Sequence, residues 1–526
     1  MYQQIVEDLK IFVKPCTSLL LTRIGHFLAE EDVESYLVGG FVRDALLGRD
    51  TADIDIAVDA DALEIASEAA KALGGKYIPL DKSNGVARVV LLDNEATAGG
   101  SWELDFSTIK GNIEQDLAKR DFTVDAMAID IRKIIPEPSA IMPYEKKEEI
   151  TISPDILIDP FAGWNDLRQS VIRVVSETAF ESDAIRLLRA VRLAAELGFS
   201  IDSETEELIK QHCHLIAGIA GERVRMELLR LLASPRTGQF LSYLDELGLL
   251  TAIIPEMIQA KGVSQPRVHI WDVFEHSIKT VRAAEFLLGQ ESWQYAGKEV
   301  LAAVPWSAEL SEHFSQEVSG GSTRKTMLKL SALLHDVAKP QTKFIDEDGR
   351  AHFLGHTHEG ATIAASILER LRFSVNEIKL AEVMVKNHLR PGQMSNYGLP
   401  SRRAIYRYFR DTGEAGIDIL FLSLADHLAT RGSSLDMAGW QIHTQLVKYV
   451  IAQRFEDNST VMPPKLIDGH DLINAFSLVP GSRIGELLET VREAQAAGEV
   501  NTKEEAIACI NHLLTNRQQA SLNNSR

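Results

Sequence analysis

The spacing of apolar residues divides the chain into a shorter part with strands and a longer part made of helices. A helix is predicted within residues 1–34, where Ile5, Leu9 and Phe12 form an apolar stripe. Between residue 35 and about residue 158, strands and helices alternate, which is typical of an α/β module. The predicted strands cover residues 35–38, 53–58, 85–92 and 102–108, and the predicted helices cover residues 41–47 and 61–73.

Helical periodicity dominates the rest of the chain. Helices are predicted over residues 183–197, 201–212 and 222–232, and most of the fifteen histidines lie after Gly262. Residues 287–324 show little periodicity and are interpreted as an insertion or loop. The predicted fold class is α+β with four domains: an α/β head at 1–158, a helical neck and body at 159–260, a second helical domain at 261–435 that contains this insertion, and a helical tail at 436–526.

Length and composition limit the possible classes of protein. A chain of 526 residues is too long for a single hydrophobic core. Its three cysteines are far apart and no apolar run approaches twenty residues, so we expect a cytoplasmic protein without a disulfide framework or a membrane association. The formal net charge of −20 argues against a protein that coats nucleic acid. A polynucleotide partner would require basic residues that are concentrated locally.

A glycine-rich turn followed by two aspartates forms the most informative motif. Gly39 and Gly40 end one strand and open a short helix, and Asp53 and Asp55 lie on the next predicted strand. The period of two places both carboxylates on one face of that strand, opposite its apolar residues. Such a face can hold a divalent cation, and the glycines allow backbone N–H groups to approach a phosphate. The alternative is a pair of solvated aspartates after an ordinary turn.

A second acidic strand can complete this site. Glu103 and Asp105 share one face of the predicted strand 102–108, and we favour Asp105 as the third catalytic carboxylate. Three carboxylates can hold two divalent ions, of which one activates an attacking hydroxyl and the other stabilises a leaving pyrophosphate. Mg²⁺ suits such a site because it takes few carboxylates and shares the phosphates of a substrate. A solvated strand residue is the alternative for Asp105.

Basic residues near these motifs are candidates for nucleotide binding. Arg120 follows an acidic helix and could reach a triphosphate or a ribose, although a surface ion pair is the alternative. Arg186, Arg189 and Arg192 recur every three residues on a predicted helix, with Asp183 one turn before the first of them. An Asp–Arg pair offers the acceptor and the donors that a nucleobase edge requires. An ion pair within the helix is the competing explanation.

Five motifs, in this order, resemble those of the bacterial tRNA nucleotidyltransferase and poly(A) polymerase family, class II. They are Gly39-Gly40-x-Val42-Arg43-Asp44, Asp53-x-Asp55, Arg120-Asp121-Phe122-Thr123, Asp159-Pro160-Phe161 and Asp183-x-x-Arg186. The similarity covers roughly residues 35–250. It departs from the family pattern at Asp125, where the family usually has Asn, and at Ala162, where it usually has a second Gly.

This resemblance implies a nucleotidyltransferase head, a neck and body that read the base and bind RNA, and a tail. It further implies the addition of CTP and ATP to the 3′ end of tRNA without a nucleic-acid template. By the same likeness, Asp53 and Asp55 would bind the metal, and Asp183 and Arg186 would pair with the incoming base. The implied triphosphate site is lined by Gly39, Gly40, Arg43, Asp44, Arg120 and Asp121.

Histidines and aspartates in the second half of the chain form another candidate metal site. The ligand candidates lie on or beside predicted helices, and they are His276, His335, Asp336, His356, His388 and Asp426. Their order resembles the HD superfamily of phosphohydrolases, whose domains are attached to some members of the nucleotidyltransferase family. The resemblance implies a metal-dependent phosphodiesterase or phosphatase with an unspecified divalent metal. An inactive HD fold kept for RNA contact is the alternative.

The expected function is therefore that of a CCA tRNA nucleotidyltransferase with tRNA, ATP and CTP as partners. An enzyme that adds only CC or only A, and a poly(A) polymerase, share the same head motifs and remain alternatives. A phosphodiesterase that works through the HD site and uses the head to hold RNA is the alternative from another class. The sequence indicates neither the HD substrate nor the oligomeric state.

Overall fold

The computed structural model describes residues 9–51, 53–92, 102–134, 148–152, 156–266, 268–394, 398–455 and 463–523. The chain forms two compact units, Met1–Ala217 and Gly218–Arg526. The first unit mixes helices and strands and the second is mainly helical, which confirms the predicted α+β class. No helix within the described ranges is both long enough and apolar enough to cross a membrane.

A seven-stranded sheet forms the centre of the first unit. In chain order this unit contains β1 (Leu9–Val13), α1 (Pro15–Glu30), β2 (Ser35–Val38), α2 (Gly39–Leu46), β3 (Asp53–Val58), α3 (Ala62–Leu73), β4 (Lys76–Asp81), β5 (Val86–Leu91), β6 (Trp102–Thr108), α4 (Ile113–Leu117), β7 (Ala128–Asp130), β8 (Glu148–Ile152), β9 (Leu157–Ile158), α5 (Gly163–Gln169), β10 (Val171–Ile172), α6 (Ala179–Ser182), α7 (Ile185–Leu197), β11 (Ser200–Ile201) and α8 (Ser203–His212). The sheet has the order β4-β5-β6-β3-β2-β7-β9, while β1 pairs with β8 and β10 pairs with β11.

Strands β3 and β6 are the parallel pair of this sheet, and its other described neighbours are antiparallel. The parallel register places Asp53 opposite Glu103 and Asp55 opposite Asp105. Residues between them along the strands, such as Ile54, are fully buried. The four acidic side chains therefore share the face of the sheet that points away from the core of these strands.

The first part of the predicted N-terminal helix is a strand. Strand β1 forms an antiparallel ladder with β8, and α1 begins only at Pro15, which occupies the start of the helix. The spacing of Leu9 and Phe12 suits a helix, but proline opens a helix because it has a fixed φ and no N–H to donate. Ile5 lies outside the described residues. Strand β4 was not predicted because it has no alternation of apolar and polar residues and contains Pro79, as an exposed edge strand can.

The second unit is built from packed helices and two small hairpins. In chain order it contains α9 (Gly221–Ala233), α10 (Thr237–Glu246), α11 (Leu249–Ile253), α12 (Val273–Leu287), α13 (Lys298–Ala302), α14 (Ala308–Ser315), β12 (Glu317–Ser319), β13 (Ser322–Thr323), α15 (Arg324–Leu334), α16 (Lys339–Thr342), β14 (Lys343–Ile345), β15 (Ala351–Phe353), α17 (His356–Arg370), α18 (Val375–Asn387), α19 (Arg390–Gln393), α20 (Arg402–Thr412), α21 (Gly416–Arg431), α22 (Met437–Phe455), α23 (Gly469–Phe476), α24 (Ser482–Ala496) and α25 (Lys503–Asn523). The hairpins are β12–β13 and β14–β15.

Residues 287–324 contain regular structure, contrary to the predicted loop. They include α13, α14 and the hairpin β12–β13. Ser307 caps α14 by accepting a hydrogen bond from the Leu310 N–H at 3.3 Å, and the rings of Phe314 and Phe421 lie 4.7 Å apart. Helices of five and eight residues are too short to show a clear period in the sequence. The proposed limits of the four domains remain a prediction.

A buried ion pair joins four helices of the second unit. Lys329 of α15 and Glu285 of α12 are 0% and 1% exposed, and Nζ lies 3.3 Å from Oε1. The remaining bonding capacity of the pair is used by groups at the end of α9 and the start of α10. Nζ donates to Leu232 O, Ser234 O and Thr237 Oγ1, and the carboxylate accepts from Thr237 N and Gly238 N. The pair therefore satisfies the ends of two helices that would otherwise be buried without partners.

Candidate active site and metal centre

The first candidate site is a group of carboxylates beside the Gly-Gly turn. Asp53 is exposed, whereas Asp55, Glu103 and Asp105 are partly buried on the same face of β3 and β6. A Cβ atom built at Gly39 would lie 3.0 Å from Asp55 Oδ2 and 2.5 Å from Arg120 Nη1. Gly39, Asp55 and Arg120 therefore lie close together, whereas no three of the head carboxylates have ligand atoms within 4.8 Å of one another in the described part of the chain. Their joint role as a metal site stays a prediction.

Asp55 has the electrostatic properties of a site for a cation. Burial, together with the nearby Asp105, Asp125 and Asp53, raises the pKa of its carboxyl to about 6 against the lowering effect of Arg120. A carboxylate that is costly to ionise without a counter-charge gains from a bound cation. The oxygen-only donor set of the surrounding carboxylates fits Mg²⁺.

Asp105 and Glu103 are both bonded to Arg88 of β5. Arg88 Nε lies 2.7 Å from Asp105 Oδ1 and Nη2 lies 2.8 Å from Oδ2, while Nη1 donates to Glu103. Arg88 belongs to none of the predicted motifs. The sequence feature that could have identified it is the alternation of β5, in which Ala87 and Val89 are buried and Arg88 is on the opposite face.

Arg43, in the last turn of α2, pairs with two aspartates. Its guanidinium bonds Asp44 through Nε at 2.9 Å and Nη2 at 3.0 Å, and Nη1 lies 2.6 Å from Asp125 Oδ1. Asp125 is the position that departs from the family pattern, so the carboxylate here forms an ion pair that an asparagine could not form. Ala162, the other departure, has a φ of +57°, a conformation that glycine adopts with less strain.

The base-reading candidates are arranged differently from the prediction. Helix α7 begins at Ile185, so Asp183 precedes the helix with extended backbone. Arg186 and Arg189 both form ion pairs with Asp121. These contacts link two of the predicted motifs, which sequence spacing could not show because the partners lie 65 or more residues apart in sequence.

Arg192, the third basic residue of this helix, is buried and pairs with a different carboxylate. It is 5% exposed and its Nη1 lies 2.6 Å from Glu196 Oε2. A buried arginine with an ion pair one turn along its own helix has a structural role in the described geometry. Arg186 and Arg189 are therefore better placed than Arg192 to contact a nucleotide.

Helices of the second unit bring the HD ligand candidates together. They form two groups, His276 with His335 and Asp336, and Asp336 with His356 and His388, in which the ligand atoms lie within 4.8 Å of one another. Asp426 adds to the first group, since its Oδ1 lies 3.0 Å from His276 Nε2. Asp336 thus lies between two candidate metal positions.

The chemistry of this cluster fits divalent metal ions. The Nδ1 atoms of His335, His356 and His388 lie 2.7 to 2.8 Å from backbone carbonyl oxygens, which leaves Nε2 for a metal. Burial lowers the pKa of His388 to about 4, so its imidazole is neutral and able to act as a ligand. Both oxygens of the buried Asp336 lack a hydrogen bond of good geometry within the described residues.

Two further side chains of this centre, Lys339 and His269, were not among the predicted ligands. Lys339 Nζ lies 2.7 Å from Asp336 Oδ2 and 2.6 Å from Gln265 Oε1. The ring of His269 lies 5.4 Å from that of His276. The spacing of three residues between Asp336 and Lys339 could have indicated the first contact, whereas His269 carries no such local signal.

Protein-family models match consecutive parts of the chain. They are "Poly A polymerase head domain" at residues 35–173, "Probable RNA and SrmB- binding site of polymerase A" at 198–261, "HD domain" at 273–431 and a tRNA nucleotidyltransferase domain 2 at 440–510. An A-adding tRNA nucleotidyltransferase of Deinococcus radiodurans is 33% identical over 480 residues, which cover 90% of this chain and 94% of that protein. The chain belongs to the tRNA nucleotidyltransferase family. The predicted family and the predicted HD domain are thereby confirmed.

Other relatives of this tRNA nucleotidyltransferase differ in how much of it they match. A CC-adding tRNA nucleotidyltransferase of Thermus thermophilus is 32% identical over 90% of this chain and 92% of that protein. A CCA-adding enzyme of Geobacillus stearothermophilus is 36% identical over only 42% of this chain and 51% of that enzyme. A solved CCA-adding enzyme in complex with CTP has a TM-score of 0.60 at 23% identity, covers 96% of this chain and 99% of its own, and supports the fold alone.

The Gly-Gly turn of this tRNA nucleotidyltransferase provides a direct test of the head site. We expect Gly39→Ala to lower nucleotide incorporation about 10- to 100-fold, because the added Cβ displaces Arg120 beside Asp55. The matched control is Gly74→Ala, where φ is +73° and nothing lies within 4 Å of the added Cβ. Both variants should lose a similar amount of stability, about 1 to 2 kcal/mol, since both place alanine at positive φ. Equal activities of the two variants would contradict this role of Gly39.

Proposed function

We propose that this tRNA nucleotidyltransferase adds nucleotides from CTP or ATP to the 3′ end of tRNA without a template, and that it builds only part of the CCA sequence. The proposal of partial addition is supported by how much of the chain each kind of relative matches. Among the relatives matched by sequence, the A-adding and CC-adding enzymes match 90% of the chain, whereas the CCA-adding enzyme of Geobacillus stearothermophilus matches 42% of it. A solved CCA-adding enzyme covers 96% of the chain in fold, but at 23% identity this likeness does not distinguish the two candidates. Complete CCA addition, which the motifs led us to expect, is the second candidate.

The head residues are suited to transfer of a nucleotidyl group. Asp53 and Asp55, with Asp105 beside them, would hold Mg²⁺, which when bound activates the RNA 3′-hydroxyl and stabilises the charge of the leaving pyrophosphate. Gly39 allows its backbone and Arg120 to approach the place where the triphosphate would lie. The protein contributes mainly by positioning the reactants and stabilising charge, because side chains take little covalent part in this reaction.

The same unit offers groups that could select the base without a template. Arg186 and Arg189 share Asp121 as a partner, so the guanidinium groups are held in fixed directions before a nucleotide arrives. Asp183 precedes the helix that carries both arginines. We propose that Arg186 and Asp183 present donors and an acceptor to the edge of the incoming cytosine or adenine.

Single-nucleotide extension decides between the candidates. Purified protein is incubated with tRNAs that end before CCA, after C, or after CC, and CTP or ATP is supplied alone or together. A partial enzyme extends only the substrates that need C, or only the substrate that needs A. Extension of all three to complete CCA would reject the partial assignment, and long adenylate tails would reject both.

We further propose that the HD centre is a metal-dependent phosphohydrolase, with a divalent metal that its ligands do not specify. Its support is the convergence of buried imidazoles and carboxylates around Asp336. Groups of this kind are costly to bury unless they hold a cation. Here His276, His335 and Asp426 would hold one ion and His356 and His388 the other, with Asp336 between them.

Metal analysis tests this centre without knowledge of its substrate. We expect Asp336→Ala to lower the bound Mn²⁺, Ni²⁺ or Zn²⁺ by one to two ions per chain, because Asp336 belongs to both ligand groups. The matched control is His352→Ala, since His352 pairs with Asp346 on a hairpin at the surface. The measurement is elemental analysis after dialysis against each metal, and an unchanged metal content in Asp336→Ala would contradict the proposal.

A further inference from the structure

Arg88 lies at the end of a row of charged side chains across three strands. The register of β5 and β6 places Arg88 opposite Asp105, and the register of β6 and β3 places Asp105 opposite Asp55. Because residues opposite one another project from the same face, the three side chains are neighbours in the order Arg88, Asp105, Asp55. Arg88 belongs to none of the motifs by which the chain resembles its family.

The contacts of Arg88 fix the direction of the Asp105 carboxylate. Two N–H groups meet the two carboxylate oxygens at 2.7 and 2.8 Å, and a third donates to Glu103. This is the paired geometry of guanidinium with carboxylate, which constrains rotation as well as position. A carboxylate has about four lone-pair directions, so two bonds leave Asp105 able to accept another partner.

Without Arg88 this arrangement would be unfavourable. Asp53, Asp55, Glu103 and Asp105 place four carboxyl groups on adjacent strands, and like charges opposite one another repel. The Asp105 side chain is 25% exposed, so it is in contact with solvent on one side. Arg88 therefore counteracts the repulsion that would move Asp105 away from Asp55.

We propose that Arg88 is a positioning residue for nucleotidyl transfer, and that it holds Asp105 beside Asp55 so that both carboxylates can bind the same divalent cation. This inference rests on the proposed function of the head. It also gives a reason for preferring Asp105 to Glu103 as the third carboxylate, because Asp105 is opposite Asp55 and is held through both oxygens.

The test is a magnesium titration of Arg88→Ala in the full chain. We expect the half-saturating Mg²⁺ concentration to rise about 10- to 100-fold and kcat to fall, with KM for tRNA unchanged, as for loss of a residue that orients a metal ligand. Independently of turnover, calorimetry with non-hydrolysable CTP and ATP analogues should show weaker dependence of their affinity on Mg²⁺. Arg88→Lys keeps the charge but not the paired geometry, so it should recover only part of the loss.

The matched control is Arg132→Ala, since Arg132 bonds both oxygens of Asp130 on the same sheet, away from the carboxylate row. It should leave the Mg²⁺ dependence unchanged. Wild-type Mg²⁺ dependence in Arg88→Ala, or full recovery by Arg88→Lys, would overturn the positioning role. Asp55→Ala is measured in parallel: activity in that variant would reject the proposed function of the head itself, whereas an inactive Asp55→Ala beside an unaffected Arg88→Ala would reject only the role of Arg88.

Discussion

Asp55→Asn should abolish nucleotide incorporation and yet make the metal-free protein more stable at neutral pH. The expected loss of incorporation is on the order of 10³-fold, equivalent to about 4 kcal/mol, because the variant lacks a carboxylate that would stabilise charge through a bound cation. The measurement is single-turnover addition of one nucleotide to a tRNA end. Binding of tRNA should be unaffected, since the substitution removes no basic group.

The expected gain in stability follows from the raised pKa of Asp55. Its folded-state pKa is about 6, above the usual 3.8, because burial disfavours the ionised form. The resulting cost to folding is therefore fully present above pH 6, and it disappears as the pH falls through 6 toward the unfolded value. The shift corresponds to about 2 to 3 kcal/mol at pH 7. Thermal unfolding in EDTA should show a higher midpoint for Asp55→Asn at pH 7 and a much smaller difference at pH 4.

Asp81→Asn is the control for this prediction. Asp81 accepts hydrogen bonds from Ser83 and Asn84 in an exposed turn, and these bonds lower its pKa to about 2. Its replacement should leave incorporation unchanged and should not stabilise the protein. If Asp55→Asn retains activity, or is destabilised at pH 7 in the absence of metal, the interpretation of the head as a cation site is wrong.

Lys329→Met should be the most destabilising of the substitutions considered. It leaves the Glu285 carboxylate buried without its counter-charge and removes three donated hydrogen bonds from the ends of α9 and α10. Loss of one partner of a buried pair typically costs about 3 to 5 kcal/mol. Urea unfolding, followed by the fluorescence of the tryptophans, should show this loss.

A double-mutant cycle separates the ion pair from general damage to the core. Lys329→Met combined with Glu285→Gln should be less destabilised than the sum of the single variants, because no charge then remains buried. The control is Lys325→Met on the same helix, which should cost less than about 1 kcal/mol. Strictly additive effects of Lys329→Met and Glu285→Gln would show that the pair has no coupling energy.

The sequence predicted the parts of the site that depend on local patterns. The alternation around Asp53 and Asp55 determines one strand, which appears as predicted. The glycines before it predict the end of a strand and the start of a helix, and that helix begins at Gly39, two residues before the predicted start. The residues of the HD centre likewise lie in helices, as His276, His356 and Asp426 do, or directly after a helix, as His335, Asp336 and His388 do. Local periodicity and turn chemistry are sufficient for features of this kind.

Contacts between distant parts of the chain were not predictable in the same way. The bond between Arg88 and Asp105 depends on which strands become neighbours, and the shared bonding of Asp121 depends on where α7 packs. The pairing of β1 with β8 replaced a predicted helix for the same reason. A single sequence specifies such contacts only through the whole fold, and local propensity can be overridden by them.

The parallel alignment of β3 with β6 also determines when the two acidic strands become adjacent during folding. The chain between these strands forms α3, β4 and β5 before it returns, so the two acidic strands become adjacent only after long-range loop closure. A nascent or partly refolded polypeptide would therefore lack cation affinity at this sheet even after Asp53 and Asp55 have been synthesised. If the head binds a divalent cation as proposed, uptake of that cation should be a late event in folding, one that reports the finished sheet rather than its first hairpin.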